Sequence, residues 1–518
     1  MVFPNPILLS LCVASVAVAA ESAAPWAGST VTAVFPPPGA TNTGSAVDAH
    51  FPDAQEVGHP GPTPTGDEAW VIETAPVAPE KHDVYPLVDP VAAQAPMNHP
   101  SLDPMRYWGN LSPWWYPTSD SGPSQFAKSL HATANSTGFT ASGPLEFLNT
   151  WTYKLGAELL TAFGREQLFD LGVAFRVKYG HLLKNFTQIP VFRTTSEARM
   201  VDSALHFAAG FFGVQQYQSS YHQLIVIEDD GFYDAITPWE ACPNANNANA
   251  DLGSIANGNW TQIYLKDTVK RLQKYIDGFT LDVTAVSRMQ SLCAYETVAL
   301  GYSEFCNLFT EDEWKGYEYG LDLDFWYSFG PGTPSAAAQG IGYAQELVAR
   351  LTQTPLTNFS TTLNRTIDES NITFPLNQPI YVDATHDTVI TTILTAMNLS
   401  IPLVGKGPLP VDHIVNDRMC IASHITPFST NLVGQVMSCP AASSKNEKES
   451  YIRFVLNDGV LPLTGIAHCP ENKDGLCLLD NFVQGMKQRI AEVDFQYDCS
   501  ANYTAGFPDN IIDGRMKH

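Results

Sequence analysis

The 518-residue chain is short of positive charge: 28 Lys and Arg stand against 53 Asp and Glu, for a formal net charge of -25. That balance argues against a nucleic-acid partner, because a duplex would be repelled. It leaves room for a small anionic substrate, since a local arginine overrides the global field. Many of the carboxylates would also be neutral in acid surroundings. Long apolar runs are missing too. Ile7 to Val18 is too short to span a bilayer, and no later stretch is long and apolar enough, so no membrane partner is expected. There is no CxxC pair, which argues against a zinc site. There is no HExxH, which excludes a zincin, and no GxSxG, which leaves a hydrolase serine elbow unsupported. No internal repeat is present.

What is present first points to export. Ile7–Val18 followed by the small residues Ala17-Val18-Ala19 reads as a signal peptide over 1–20. Nine Asn-x-Ser/Thr sequons fit a glycosylated surface: Asn110, Asn135, Asn185, Asn259, Asn358, Asn364, Asn371, Asn398 and Asn502. Cys12 leaves with the signal. The eight remaining cysteines, an even number in an exported chain, suggest disulfides. Residues 21–104 are rich in Pro, Gly and Ala without sustained periodicity, which predicts a disordered or polyproline-like arm. The globular part begins near Met105.

Gln378 to Met397 is the most informative stretch. Ile380, Val382 and Ala384 alternate with Tyr381, Asp383 and Thr385, the period of a strand. From Thr388 the period changes, and Val389, Ile390, Ile393, Leu394 and Met397 form one helical face. His386 and Asp387 sit at the switch. In an open α/β sheet that point is the carboxyl end of a strand, where ligands bind. The helix that follows aims unpaired N–H groups there, which suits an anion. A His-Asp pair so placed can hold a phosphate and give a proton to a leaving oxygen. The structural alternative is an ordinary Asp cap beside a structural His.

Arg193 occupies a comparable position. It lies between the short strand Ile189–Phe192 and a helix expected over Thr194–Phe212, for which Thr194-Thr195-Ser196-Glu197 fits a capping box. Its fork of donors can grip phosphate oxygens. Taken alone it also reads as a surface arginine. Further helices are expected over Trp151–Lys178, with a break at Gly164, and near 262–277, 282–298 and 338–352. Tyr451–Leu456 is read as a strand before the turn Asn457-Asp458-Gly459.

Phe192-Arg193-Thr194-Thr195 with Arg199 and Ser203-Ala204, then Thr385-His386-Asp387-Thr388, then Val455-Leu456-Asn457-Asp458, resemble the histidine acid phosphatase family. The similarity runs from about Arg106 to the C-terminus and is strongest to the fungal secreted branch that includes phytases. The resemblance implies an α/β fold: a phosphoglycerate-mutase-like mixed sheet flanked by helices, with a mostly helical inserted subdomain. The α/β part would take 105–212 and 353–518, and the insertion 213–352. It further implies that Arg193 and His386 bind the phosphoryl group and that Asp387 donates the proton. No cofactor and no metal are implied. Cys293–Cys306, Cys469–Cys477 and Cys242–Cys499 would be disulfides.

One departure is large. The family's nucleophile lies in an Arg-His-Gly-x-Arg-x-Pro motif on the first core strand, and this sequence contains no Arg-His-Gly. Tyr116-Pro117 resembles the end of that motif, joined directly to Ser112-Pro113-Trp114, which resembles a segment well before it. A cysteine expected ahead of the motif is absent as well, so Cys439 pairs with Cys420 or stays free. His131 and His181 lie in helix- or loop-like contexts and do not replace the nucleophile.

The expectation is therefore a secreted phosphomonoesterase, phytate being one candidate substrate, that is inactive in this form. The alternative is a catalytically dead glycoprotein that binds phosphate esters.

Overall fold

A computed structural model describes residues 122–156, 160–229, 231–399, 407–440, 448–506 and 510–516. The signal at 1–20, the arm at 21–104, Asn110 and the junction at Trp114–Thr118 lie outside the described residues.

Strand β1 (Val191–Thr195) is the middle of a parallel sheet, flanked by β2 (His222–Val226) and β3 (Asp383–Ala384). Its aromatic and β-branched residues suit a strand, and Phe192 to Thr195 are buried, as a parallel sheet requires. The expected helix start at Thr194 is therefore late. Thr194 and Thr195 remain in the ladder, and helix α3 runs Ala198–Phe212 with Glu197 as its N-cap and no side-chain cap bond. The capping box does not form, because Thr194 stays in the ladder and its hydroxyl donates to the Met200 carbonyl at 3.0 Å; Ser196 instead accepts from the Glu228 N–H at 2.9 Å. That bond ties the ends of β1 and β2 together.

A second, antiparallel sheet holds β4 (Leu432–Pro440), β5 (Lys448–Leu456) and β6 (Gly459–Leu461), with β7 (Cys477–Leu478) also on β5. Asn457 and Asp458 join β5 to β6 with φ of 50° and 69°, the backbone of a type I′ turn. Ile380 and Val382 beside the parallel sheet share one core with Val433, Val455 and Val460 of the antiparallel one. The chain is thus mixed α/β, with its parallel and antiparallel strands in two ladders over a common core.

Helix α2 (Ala162–Tyr179) packs across α3. Gly164 is not a break: Thr161 caps the helix by accepting from the Gly164 N–H at 3.0 Å. The crossing is close enough that a Cβ at Gly210 would lie 2.0 Å from the Phe169 carbonyl oxygen, and one at Gly172 2.1 Å from that of Phe207.

A separate core joins helix α1 (Gly122–Ser136) to the helical middle of the chain. Phe126, Leu130 and Leu145 pack with Met289, Phe305 and Trp314. Residues 122–156 thus belong with the helical part rather than with the sheets. Conversely, β2, from the range 213–352, completes the parallel sheet. The expected helix at 262–277 is broken into the end of α4 (Leu252–Tyr264), α5 (Lys266–Leu272) and a two-residue ladder of Ile276–Asp277 with Thr140–Ala141. Helix α6 (Val283–Leu300) was legible. Helix α7 (Glu311–Ser328) was not foreseen, although Thr310 and Glu313 form a full capping box at its start. Helix α8 (Ala336–Thr352) lies against α9 (Asp387–Ala396), with a Cβ at Gly340 reaching 2.3 Å from the Thr392 carbonyl oxygen.

Three disulfides are formed: Cys242–Cys499, Cys293–Cys306 and Cys469–Cys477. Cys420 and Cys439 are free thiols. Of the sequons among the described residues, six asparagines are exposed, at 135, 185, 259, 358, 371 and 502. Asn364 and Asn398 are half-buried and donate their side-chain amides to the carbonyls of Tyr233 and Gly465. Among the described residues no helix is long and apolar enough to cross a membrane.

Candidate active site

The three parallel strands run the same way, so their carboxyl ends converge. Four polar residues follow those ends: Glu197 and Arg199 after β1, Glu228 after β2, and His386 after β3. Together with Trp239, Asn246, Gln339 and Thr388 they line a cavity of about 290 Å³.

His386 is the N-cap of α9, with extended backbone and no side-chain cap bond, so its ring is free to turn outward. Its Nε2 lies 2.8 Å from Glu228 Oε1, and the edge of its ring meets Trp239 at 5.2 Å between centroids. Burial alone would raise the Glu228 carboxyl. The hydrogen bond and charge of His386, with smaller help from Thr195 and Arg199, outweigh that and hold it below its ordinary value. Glu228 therefore stays ionised and fixes the imidazole with a proton on Nε2. The Thr385 hydroxyl donates to the Ile236 carbonyl at 2.7 Å and anchors the backbone just before the histidine. Arg199, also in the lining, pairs with Glu197.

Asp387 is half-buried as the first residue of α9, where its Oδ1 accepts from the Thr388 N–H at 2.8 Å. It adjoins the cavity without forming part of its lining.

Arg193 does not line the cavity either. It is 2% exposed and turned to the interior. Its Nε donates to Asp383 Oδ1 at 2.6 Å, Nη1 donates to Glu346 Oε1 at 2.8 Å, and Nη2 donates to Glu346 Oε2. Sequence spacing put it at a strand end beside His386, but its backbone is the middle of β1, level with Asp383 of β3. The side chain takes the other direction because two buried carboxylates saturate the guanidinium fork. The guanidinium that does reach the cavity wall is that of Arg199.

Among the described residues, two groups of side chains place potential ligand atoms within 4.8 Å of one another: Glu197, Glu228 and His386, and Asp234, Glu346 and Asp368. In the first, His386 already bonds Glu228 and Glu197 already pairs with Arg199; in the second, Glu346 already takes the fork of Arg193.

Sequence reasoning named Arg193, His386 and Asp387 for the site, of which His386 lines the cavity; it quoted Arg199 only within a motif and did not single out Glu228, Glu197 or Trp239. Glu228 had a signal: it follows the apolar run Leu224–Ile227 as His386 follows Ile380–Ala384, and the same strand-end rule applies to both.

The model of the histidine phosphatase superfamily, branch 2, matches residues 116–457, well over half of the chain. The chain belongs to the histidine phosphatase superfamily, branch 2. Phytase A of Aspergillus oryzae is 32% identical over 385 residues, covering 72% of this chain and 79% of that one. Phytase A of Aspergillus terreus is 33% identical over 356 residues, covering 66% and 74%. The crystal structure of the phytase from D. castellii shares the fold, with a TM-score of 0.61 at 23% identity over 81% of this chain and 93% of that one. By family this histidine phosphatase is a phosphoric monoester hydrolase.

Proposed function

We propose that the chain is a secreted, phytase-like acid phosphatase of the phosphohistidine type that does not turn over in the sequence as it stands. The observation that carries the reading is the cavity at the carboxyl ends of three parallel strands, whose lining holds a single imidazole, that of His386 at a helix N-terminus. Phosphoryl transfer through a phosphoenzyme needs a neutral imidazole to attack phosphorus and cations to take up charge on the equatorial oxygens. It also needs an acid to protonate the leaving alkoxide, typically worth about 10²–10⁴-fold. Asp387 is assigned the proton. His386 and the α9 N-terminus are assigned the phosphate, with Arg199 as the arginine on the wall and Arg193 behind it. His386 cannot also be the nucleophile, because its Nε2 is spent on Glu228. Phosphate monoesters are the substrate class, phytate among them because the curated relatives are named phytases. Export is supported by the apolar N-terminal run and the six exposed sequons.

The test is direct. The purified chain should release no phosphate from an aryl phosphate or phytate at acid pH above the rate of a His386→Ala control. A chain carrying an Arg-His-Gly-x-Arg strand ahead of Tyr116-Pro117 should hydrolyse both. In that repaired chain, Asp387→Asn should slow alkyl esters far more than aryl esters, whose leaving groups need little protonation. Equal losses would leave Asp387 a helix residue only. Enzyme-like turnover by the unrepaired chain would overturn the reading and require another nucleophile.

A binding-only role is the second reading, favoured by the presence of both Arg199 and His386 in the lining of one cavity. Mature transcripts lacking any inserted Arg-His-Gly coding segment between Trp115 and Tyr116 would decide for it.

A further inference from the structure

Beneath the parallel sheet, six ionisable side chains meet in the interior: Arg193 and Arg350 with Asp234, Glu346, Asp368 and Asp383. All are at most 4% exposed. The two guanidiniums are matched by two carboxylates. Glu346 takes the fork of Arg193, and Asp383 takes Arg193 Nε, both terminal nitrogens of Arg350, and the Tyr343 hydroxyl. Asp234 and Asp368 are then surplus. Their Oδ1 atoms lie 3.7 and 3.8 Å from Arg193 Nη1, outside hydrogen-bond range. Asp234 Oδ1 accepts the Ile236 N–H at 3.2 Å, but its Oδ2 accepts nothing. Asp368 Oδ2 accepts the Asn364 N–H at 2.9 Å, but its Oδ1, which faces Arg193 Nη1 as Asp234 Oδ1 does, accepts nothing.

With all four carboxylates ionised against two guanidiniums, two negative charges are in excess, and Asp234 and Asp368 reach Arg193 only at 3.7 and 3.8 Å, far from water. Unpaired buried carboxylates are costly enough that folded proteins rarely leave them so. Asp234, Glu346 and Asp368 each bring an oxygen within 4.8 Å of the others. The deficit is that of one divalent ion, and the donors are all hard oxygens, which favour Ca²⁺ or Mg²⁺ over zinc or copper.

We propose that Asp234, Asp368 and Glu346 form a structural site for a hard divalent cation of the Ca²⁺ type. The ion joins the loop after β2, the helix α8 and the short helix Arg365–Asp368, three segments distant in sequence. It lies below the sheet and takes no part in phosphoryl transfer, so the inference is independent of the phosphatase reading. Because the ligands are brought together only by folding, the ion is captured on folding and adds to stability.

The experiment uses the full chain. Calcium retained after desalting is measured by atomic absorption, and thermal melts are recorded in EDTA and in millimolar Ca²⁺. Melting itself opens the site, so slow exchange does not hide binding. The expectation is one equivalent of retained calcium and a melting point about 5 °C higher in Ca²⁺ than in EDTA. Asp368→Asn should abolish both the retained ion and the shift. If that variant fails to fold, Asp234→Asn serves the same purpose. No retained calcium and superimposable melts would overturn the proposal and leave the two surplus carboxylates neutralised by protons. Retention that survives both substitutions would overturn the location.

Discussion

Asp202 and His206 sit one turn apart on α3, both buried, with His206 Nδ1 2.6 Å from the Asp202 carbonyl oxygen. Burial pushes the Asp202 carboxyl up to about 7 against the pull of Arg165. Burial pushes His206 down to about 4 despite its bond to the Asp202 carbonyl. The signs oppose. The folded state binds the Asp202 proton that the unfolded state has lost, so that group's contribution falls as pH rises from about 4 to 7, by up to about 4 kcal/mol. The unfolded state binds the His206 proton that the folded state refuses, so that contribution falls as pH drops from about 6.5 to 4, by up to about 3 kcal/mol. In the wild type the two slopes largely cancel. Asp202→Asn should therefore become more stable as pH rises from 4.5 to 6.5, and His206→Gln less stable, in urea unfolding at the two pH values. Parallel pH slopes in both variants would show that neither group is held in the state described.

At the level of elements, the α2–α3 contact is set by two glycines. At each, an added Cβ would strike a carbonyl oxygen of the opposite helix, and backbone cannot give way as a side-chain tip can. Gly210→Ala gains intrinsic helix propensity, worth about 1 kcal/mol. It should nonetheless lose net stability by about 1–3 kcal/mol through forced separation of the helices. Chemical denaturation measures the difference, and a variant as stable as wild type would mean the helices part freely. This crossing also shows the reach of the sequence. The 3.6 period marked α3 and α9, alternation marked the segment of β3, and short apolar runs marked β1 and β5, because those signals are local. The limits of α3 were misjudged because Thr194 and Thr195 fit both a cap and a strand, and only pairing with β2 and β3 decides between them. The site divides the same way. His386 was legible from the change of period at one strand end. The inward turn of Arg193 was not, because its partners Glu346 and Asp383 lie 153 and 190 residues away in the chain.

Across the whole molecule, packing ignores sequence order: residues 122–156 join the helical core, while β2 leaves the helical range to complete the sheet. Cys242–Cys499 spans 257 residues over this arrangement, closing most of the described chain, including β3, α9 and the antiparallel sheet, into a covalent ring with two tails. The exposed segment Gln353–Pro355 lies on that ring. A protease that cuts there opens the ring but cannot part the pieces. The nicked protein should run at full mass without reductant and split into two fragments only with it. Fragments that separate without reductant would refute the bridge. The consequence is one of wear: a first cut within the ring converts a loop into two tethered arms that can still refold as neighbours, and only a second lesion, chemical reduction, makes the damage permanent.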